Sequence, residues 1–242
     1  MLLLATPSTY RGVKPQEDDR MLDQTTLDRL RNVEPSLISD CMMRLGLAGW
    51  MDGVRPMQST HRRAVGQART LLFGPRRGEG QWSRSMYRTI GSLQPGDVLV
   101  MAAGGTLENL MGDNIATFAQ LHGLVAIVTD STVRDSAGIG ELTMPVYARG
   151  AAVRLPLNME PVALDVPVFC GGAQVRTGDA VIGSEDGVMV VPQSRVADVL
   201  YQLDDAEACE RDLQHAIQSR ASLDDIEAVL KRKKALRPAG QK

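Results

Sequence analysis

Between Gly104 and Gly150 the chain carries two aspartates and an arginine at a spacing that lets them meet. Asp113 comes first. Twenty residues (114–133) follow, and then Arg134 and Asp135 stand side by side. A guanidinium grips a carboxylate or a developing oxyanion through paired N–H donors. Aspartate oxygens suit a hard divalent cation such as Mg²⁺ or Mn²⁺. Together the three side chains have the chemistry to hold a metal ion beside an anionic small molecule.

The flanking residues predict how they are brought together. Ile115, Ala116, Ala119 and Gln120 recur at helical spacing, and His122-Gly123 is a helix-stop signal, so 113–122 reads as a helix. Gly112 and Asp113 are placed to cap it. Its first turn would offer the backbone N–H groups of Asn114 and Ile115 to a carboxylate. Leu124–Val128, LVAIV, is a short apolar run and reads as a buried strand. The loop after it, DSTVRDS, would then deliver Arg134 and Asp135 to the edge of a sheet, where α/β proteins gather their ligands. Spacing alone also admits a plainer reading: Asp113 as a simple helix cap, and Arg134-Asp135 as a solvated turn.

The rest of the chain fits an α/β protein. It has 242 residues, 43% hydrophobic, enough for one large core. A net charge of −2 gives no field that would draw nucleic acid or an anionic membrane, and 4% aromatic content offers little for base stacking. Cys41, Cys170 and Cys209 are scattered, as expected of free thiols in a reducing cytosol. His61, His122 and His215 form no zinc motif. Helices are expected at about 25–46 with a break near Pro35, and at 81–91, 113–122, 194–217 and 223–234. Strands are expected at about 64–73, 97–101, 124–129, 145–148, 162–169, 180–183 and 187–191. Residues 1–24 read as an extended arm, 25–222 as the domain, and 223–242 as a helix with a basic, solvated tail.

Several segments resemble the RraA-like family, which includes the class II 4-hydroxy-4-methyl-2-oxoglutarate and 4-carboxy-4-hydroxy-2-oxoadipate aldolases. The aldolases of that family carry Asp, twenty residues, then Arg-Asp, which Asp113, Arg134 and Asp135 match without a gap. PSLISDCMMRLGLAGWMDGVRPM, LQPGDVLVM, MPVYARG and VPVFCGGAQVRTGDAVIGSEDGVMVVP are similar to further family segments, so the resemblance spans about residues 30–225. There are departures. Ser131 stands where the family has Gly after Asp130, Gly138 stands where some members have an acidic residue, and Asn109–Asp113 replaces a Trp-Gly-Glu pattern.

The resemblance implies a single-domain α/β protein with the RraA-like swivelling β/β/α layered fold, assembled as a trimer or hexamer. It implies a divalent-metal-dependent lyase releasing pyruvate from a 4-hydroxy-2-oxo acid, with oxaloacetate decarboxylation as a side activity. Asp135 would hold Mg²⁺ or Mn²⁺ directly and Asp113 through water. Arg134 would bind substrate and stabilise the enolate, and Gly112, Asn114 and Ile115 would hold the substrate carboxylate. Glu210 matches a family glutamate that reaches a neighbouring subunit's site as a proton-transfer group. The charged run around Glu210 also reads as an ordinary solvated helix face. Two other functions stay open: a non-catalytic RraA-type regulator of a ribonuclease, and a lyase or hydratase on another 2-oxo or sugar acid. A methyltransferase reading would want a Gly-rich loop after the first strand, and Phe73-Gly74-Pro75-Arg76 is not one.

Overall fold

A computed structural model describes residues 22–60, 63–76 and 84–235. Residues 1–21 of the expected arm, the first residues of the 81–91 helix, His61 and most of the basic tail lie outside the described residues; the end of the arm, Asp23 and Gln24, instead caps and opens a helix. Two short helices open the fold, α1 (Gln24–Arg31) and α2 (Pro35–Arg44), with Pro35 at the first helical position, where its missing N–H costs nothing. Two-residue strands β1 (Trp50–Met51) and β2 (Arg55–Pro56) follow, and then the long β3 (Ala64–Pro75).

The central segment alternates helix and strand: α3 (Met86–Ile90), β4 (Asp97–Ala102), α4 (Asp113–His122), β5 (Ala126–Thr129), α5 (Ser136–Gly140) and β6 (Val146–Ala148). Strands β3, β4, β5 and β6 run parallel and adjacent. Late in the chain come β7 (Met159–Leu164), β8 (Val168–Cys170), β9 (Ala173–Val175), β10 (Ala180–Ser184) and β11 (Gly187–Val191). Helices α6 (Val196–Gln218) and α7 (Leu223–Lys234) close it. The main sheet is ordered β1-β11-β10-β3-β4-β5-β6-β2, with β7 on the distal half of β3; β8 and β9 form a separate ribbon.

Period-two alternation along β4 sorts its side chains into two cores. Leu99 and Met101 join α3, α4 and α5, whereas Val98, Val100 and Ala102 join β8 and β9. A third cluster packs α1, α2 and α6 over Val65, Ala180, Ile182, Met189 and Val191. Since Val65 pairs with Ile182 and Leu71 with Met101, both helical clusters lie on one sheet face. The layers are therefore helix, sheet and ribbon, which is the β/β/α expectation.

Helices 113–122 and 223–234 begin and end where the sequence places them. The expected strand 162–169 is instead two. Asp165 takes a left-handed conformation (φ 59°), anchored by Arg69, and the chain then leaves the main sheet for the ribbon. The sequence reading also leaves out β1, β2, β9 and α5, each five residues or fewer and too short to carry a period.

Gln202 in α6 is 3% exposed, and neither its amide oxygen nor its nitrogen has a hydrogen-bond partner among the described residues. A stranded amide costs stability, so Gln202→Leu should raise it by about 1–3 kcal/mol. Urea denaturation checks this. A lower midpoint would mean that a buried water satisfies the amide.

Candidate active site

The site is built on the carboxyl edge of the parallel strands, where three loops continue the sheet's pairing past the strands themselves. Asn109 bridges to Thr132, and Val133 bridges to Ala151. The Leu110 N–H donates to the Thr132 carbonyl (3.1 Å) and the Arg134 N–H to the Met111 carbonyl (3.0 Å). On the other side the Val133 N–H donates to Gly150 (3.0 Å) and the Ala152 N–H to Val133 (2.8 Å). The backbone of 132–134 is thus laced to the loops after both β4 and β6.

Buried side chains fix these loops further. The Asp130 carboxylate accepts from the Ala103 N–H at 2.8 Å and lies 3.5 Å from the Gly171 N–H. Ser131, at a position where the family has glycine, is fully buried and has no positive φ. Its hydroxyl lies 2.8 Å and 2.6 Å from the carbonyl oxygens of Thr106 and Glu108. Glycine's freedom is not needed there; the hydroxyl ties one loop to the next. Glu108, also buried, takes donors from Arg154 (3.3 Å) and Asn158 (2.9 Å). It fastens the β4 loop to the segment after β6. Nothing in the spacing marks Glu108, because its partners lie about fifty residues on and meet it only in the fold.

Gly112 abuts Arg134 and Asp135, and Gly138 abuts Asp113, so the start of α4 packs on the 134–138 loop; Asp113, Gly112, Asn114 and Ile115 do not line the pocket that Arg134 and Asp135 form. Asp135 precedes α5 in a left-handed conformation (φ 57°, ψ 43°), uncommon for a residue with a side chain and concentrated at functional sites. Its Oδ2 accepts from Arg134 Nε at 3.1 Å. A Cβ on Gly112 would lie 2.2 Å from that same oxygen, and one on Gly138 would lie 2.5 Å from Asp113 Oδ2. Two glycines therefore clear the ground on which the acidic groups approach. Gly138 occupies the position where some relatives are acidic, and Asp113 fills the space beside it.

One expectation needs correction. Gly112 is the N-cap of α4 and Asp113 its first residue, but the Asp113 carboxylate turns back to accept from the Asn114 N–H at 2.7 Å. That short local bond satisfies one of the two amides expected to be open, and only the Ile115 N–H stays uncommitted among the described residues. Glu210, on α6, is bound within its own chain: Lys233 Nζ donates to its Oε2 at 2.8 Å and pairs with Asp40 at 3.1 Å. Burial opposes the charge on Lys233, but its bonds to Glu210 and Asp40 outweigh that and hold the ammonium above the ordinary lysine range. The structure does not bring Glu210 to the Arg134–Asp135 pair of the same chain.

Arg134 and Asp135 form one wall of an open pocket of about 410 Å³, completed by Ser136 and Ala151–Val153. Both side chains are nearly half exposed. With Nε engaged by Asp135, the two terminal nitrogens of Arg134 have no protein partner among the described residues. Among the described residues no three His, Cys, Asp or Glu side chains cluster as a metal cage. The donors fit a cation that binds through one carboxylate and keeps most of its waters, as Mg²⁺ does, and they do not fit a structural zinc centre. No lysine occurs between Lys14 and Lys231, so the site segment has no Schiff-base nucleophile.

These features define a layered α/β protein with an open pocket at the carboxyl edge of its parallel strands, where such folds place ligands. The model of the RraA-like family, Aldolase/RraA, matches residues 36–190, and the chain belongs to that family. A Halalkalibacterium halodurans protein, named as a candidate 4-hydroxy-4-methyl-2-oxoglutarate aldolase, is 27% identical over 192 residues, covering 79% of this chain and 88% of that protein. A Thermus thermophilus 4-hydroxy-4-methyl-2-oxoglutarate aldolase is 29% identical over 99 residues, 40% of this chain and 60% of that protein. The solved structure of Streptomyces coelicolor RraAS2, described as an unusual member of the RNase ES inhibitor RraA family, is 28% identical. It superposes with a TM-score of 0.72, covering 79% of this chain and 96% of that one. No helix among the described residues is long and apolar enough to cross a membrane.

If the Ser131 hydroxyl holds the loops as described, Ser131→Gly should cost about 1–3 kcal/mol of stability despite restoring the family residue. The cost comes from a carbonyl left without its donor and a freer unfolded chain. A chemical-denaturation midpoint equal to the parent's would show the bond to be dispensable.

Proposed function

We propose that the protein is a divalent-cation-dependent lyase that cleaves a 4-hydroxy-2-oxo acid to pyruvate and a carbonyl product, and that it decarboxylates oxaloacetate by the same chemistry. The observation that carries this is the pairing of a half-exposed carboxylate, Asp135, with a guanidinium whose terminal nitrogens have no partner among the described residues, on one wall of a pocket sized for a small acid. The names of the relatives point the same way. Without a lysine in the site segment, electrons released at the cleaved bond must be taken up by an electrophile other than an iminium.

When bound at Asp135, the cation supplies Lewis-acid polarisation of the keto and carboxylate oxygens. Arg134 donates to the keto oxygen and gains strength as that oxygen becomes an enolate. The uncommitted Ile115 N–H, at the start of α4, holds the substrate carboxylate. A base removes the C4 hydroxyl proton, the C3–C4 bond breaks to give the carbonyl product, and its electron pair forms the pyruvate enolate. Protonation at C3 completes pyruvate. Loss of C4 of oxaloacetate as CO₂ leaves the same enolate. Asp113 orients a water for the proton transfers, and Glu210 of a neighbouring subunit serves as the base. Leu107, Val153, Leu155 and Leu157 are exposed on the loops that frame the pocket, apolar surface of the kind a neighbouring subunit covers in a trimer or hexamer.

The decisive experiment is a pyruvate-release assay over a panel of 4-hydroxy-2-oxo acids and oxaloacetate, with Mg²⁺, Mn²⁺ or excess EDTA. Turnover should need the metal, and Asp135→Ala should abolish it while leaving the chain folded, its melting midpoint lowered only by the left-handed backbone that alanine accepts less readily. Full activity in EDTA or in that variant would refute the metal site. No pyruvate from any substrate and metal would favour the regulator reading that the Streptomyces relative illustrates.

Assembly has its own test. Inactive Asp135→Ala subunits mixed with inactive Glu210→Ala subunits should regain part of the activity, because some interfaces pair an intact Asp135 with an intact Glu210. A monomer in solution, or no recovery after proven subunit exchange, would place Glu210 outside the chemistry.

A further inference from the structure

At the opposite, amino-terminal edge of the parallel strands lies a second cleft of about 420 Å³, and two of its lining residues carry donors without a partner among the described residues. Arg63 and Arg31 line it on one side and Gln120 on another, with Leu124, Val125 and Met144 among its apolar walls. The Arg63 Nε is buried and has no hydrogen-bond partner among the described residues, while one terminal nitrogen donates to the Leu30 carbonyl at 3.1 Å. A buried donor left unpaired is rare, and its presence asks for an explanation.

The Gln120 amide adds a second, independent sign. Its Oε1 accepts three donors, the Thr143 N–H (2.7 Å), the Thr143 hydroxyl (2.9 Å) and the Met144 N–H (2.8 Å). Those bonds fix the orientation of the amide and leave its NH₂ uncommitted among the described residues.

Charge bookkeeping narrows the ligand. Arg31 is paired with Asp28 and also donates to the Val65 carbonyl. Arg63 forms no ion pair among the described residues; Glu34 and Glu185 act on it only at longer range, and Arg31 repels it. Burial disfavours its charge, yet an arginine stays protonated, so the guanidinium remains a cation with no direct ion-pair partner among the described residues. At the carbonyl end of α4 the Gly123 N–H donates to Ala119 and Gln120, which occupies two of the carbonyls nearest the cleft's Gln120.

We propose that this cleft binds a small oxyanion, most simply one carboxylate on a short apolar body, held by Arg63 and the Gln120 amide against the wall of Leu124, Val125 and Met144. One charge is called for because one guanidinium has no ion-pair partner among the described residues, and a short apolar body because Leu124, Val125, Met144 and Pro145 line the cleft beside the polar Arg31 and Thr143. Gln120 lies in the last turn of the helix whose first residue is Asp113, so a ligand here touches the same helix as the candidate active site.

The test is calorimetric titration of the full chain with butyrate, inorganic phosphate and chloride, done in an Arg134→Ala background so that the other anion-binding site is silent. Butyrate should bind saturably at one per chain. Arg63→Met should weaken it by about tenfold or more, the scale of one lost charge-assisted bond. Gln120→Glu keeps the acceptor for Thr143 and Met144 but places a negative charge in the cleft. It should weaken binding similarly, and it serves if Arg63→Met does not fold. Phosphate binding more tightly than butyrate, with the same sensitivity to both substitutions, would identify the oxyanion as a phosphate and keep the site. Binding that neither substitution changes, or no saturable binding of either anion, would overturn the proposal.

Discussion

The candidate site depends on a backbone ladder that outlasts its strands. Residues 132–134 bond to the β4 loop on one side and to the segment after β6 on the other. Main-chain groups buried there must be paired, and the ladder pairs them while holding three loops at fixed separation. Asp130, Ser131 and Glu108 supply the remaining acceptors and donors from their side chains. Because those bonds are satisfied, the following residue can sit in a left-handed conformation and still be held. Asp135 is that residue, and its strain is supported from both sides.

The chemistry divides between rigid and open parts. Arg134 and Asp135 fix one another through the Nε bond, so the free terminal nitrogens of Arg134 and the remaining carboxylate oxygen of Asp135 are oriented before any ligand arrives. Preorganised donors need little rearrangement as charge develops. The facing wall, Ala151–Val153, has no charge, and Val153 is almost wholly exposed. A site so open within one chain gains its enclosure from a neighbouring subunit in the proposed assembly. The tie from Lys233 to Glu210 bears on that assembly, since Glu210 must exchange this partner to serve another chain.

Much of this was legible before any coordinates. The helix from Asp113 to His122 follows from apolar spacing and a glycine stop, and the Arg-Asp pair after LVAIV follows from the strand-loop rule. Ionic composition and the helix signals at 223–234 likewise place α7. These are local properties, carried by neighbouring residues, and local physics suffices for them.

Tertiary structure alone decided the rest. The left-handed Asp135, the glycine clearances at 112 and 138, and the buried Glu108 depend on groups far apart in the chain, and no periodicity records them. The same is true of Asp113, whose carboxylate satisfies the Asn114 amide that spacing leaves open, and of Asp165, whose turn splits one apolar run between two sheets. The sequence determined which side chains could do chemistry and which elements carry them. The fold decided which of their atoms are already spoken for, because a hydrogen bond is settled by distance and direction in space and not by separation along the chain.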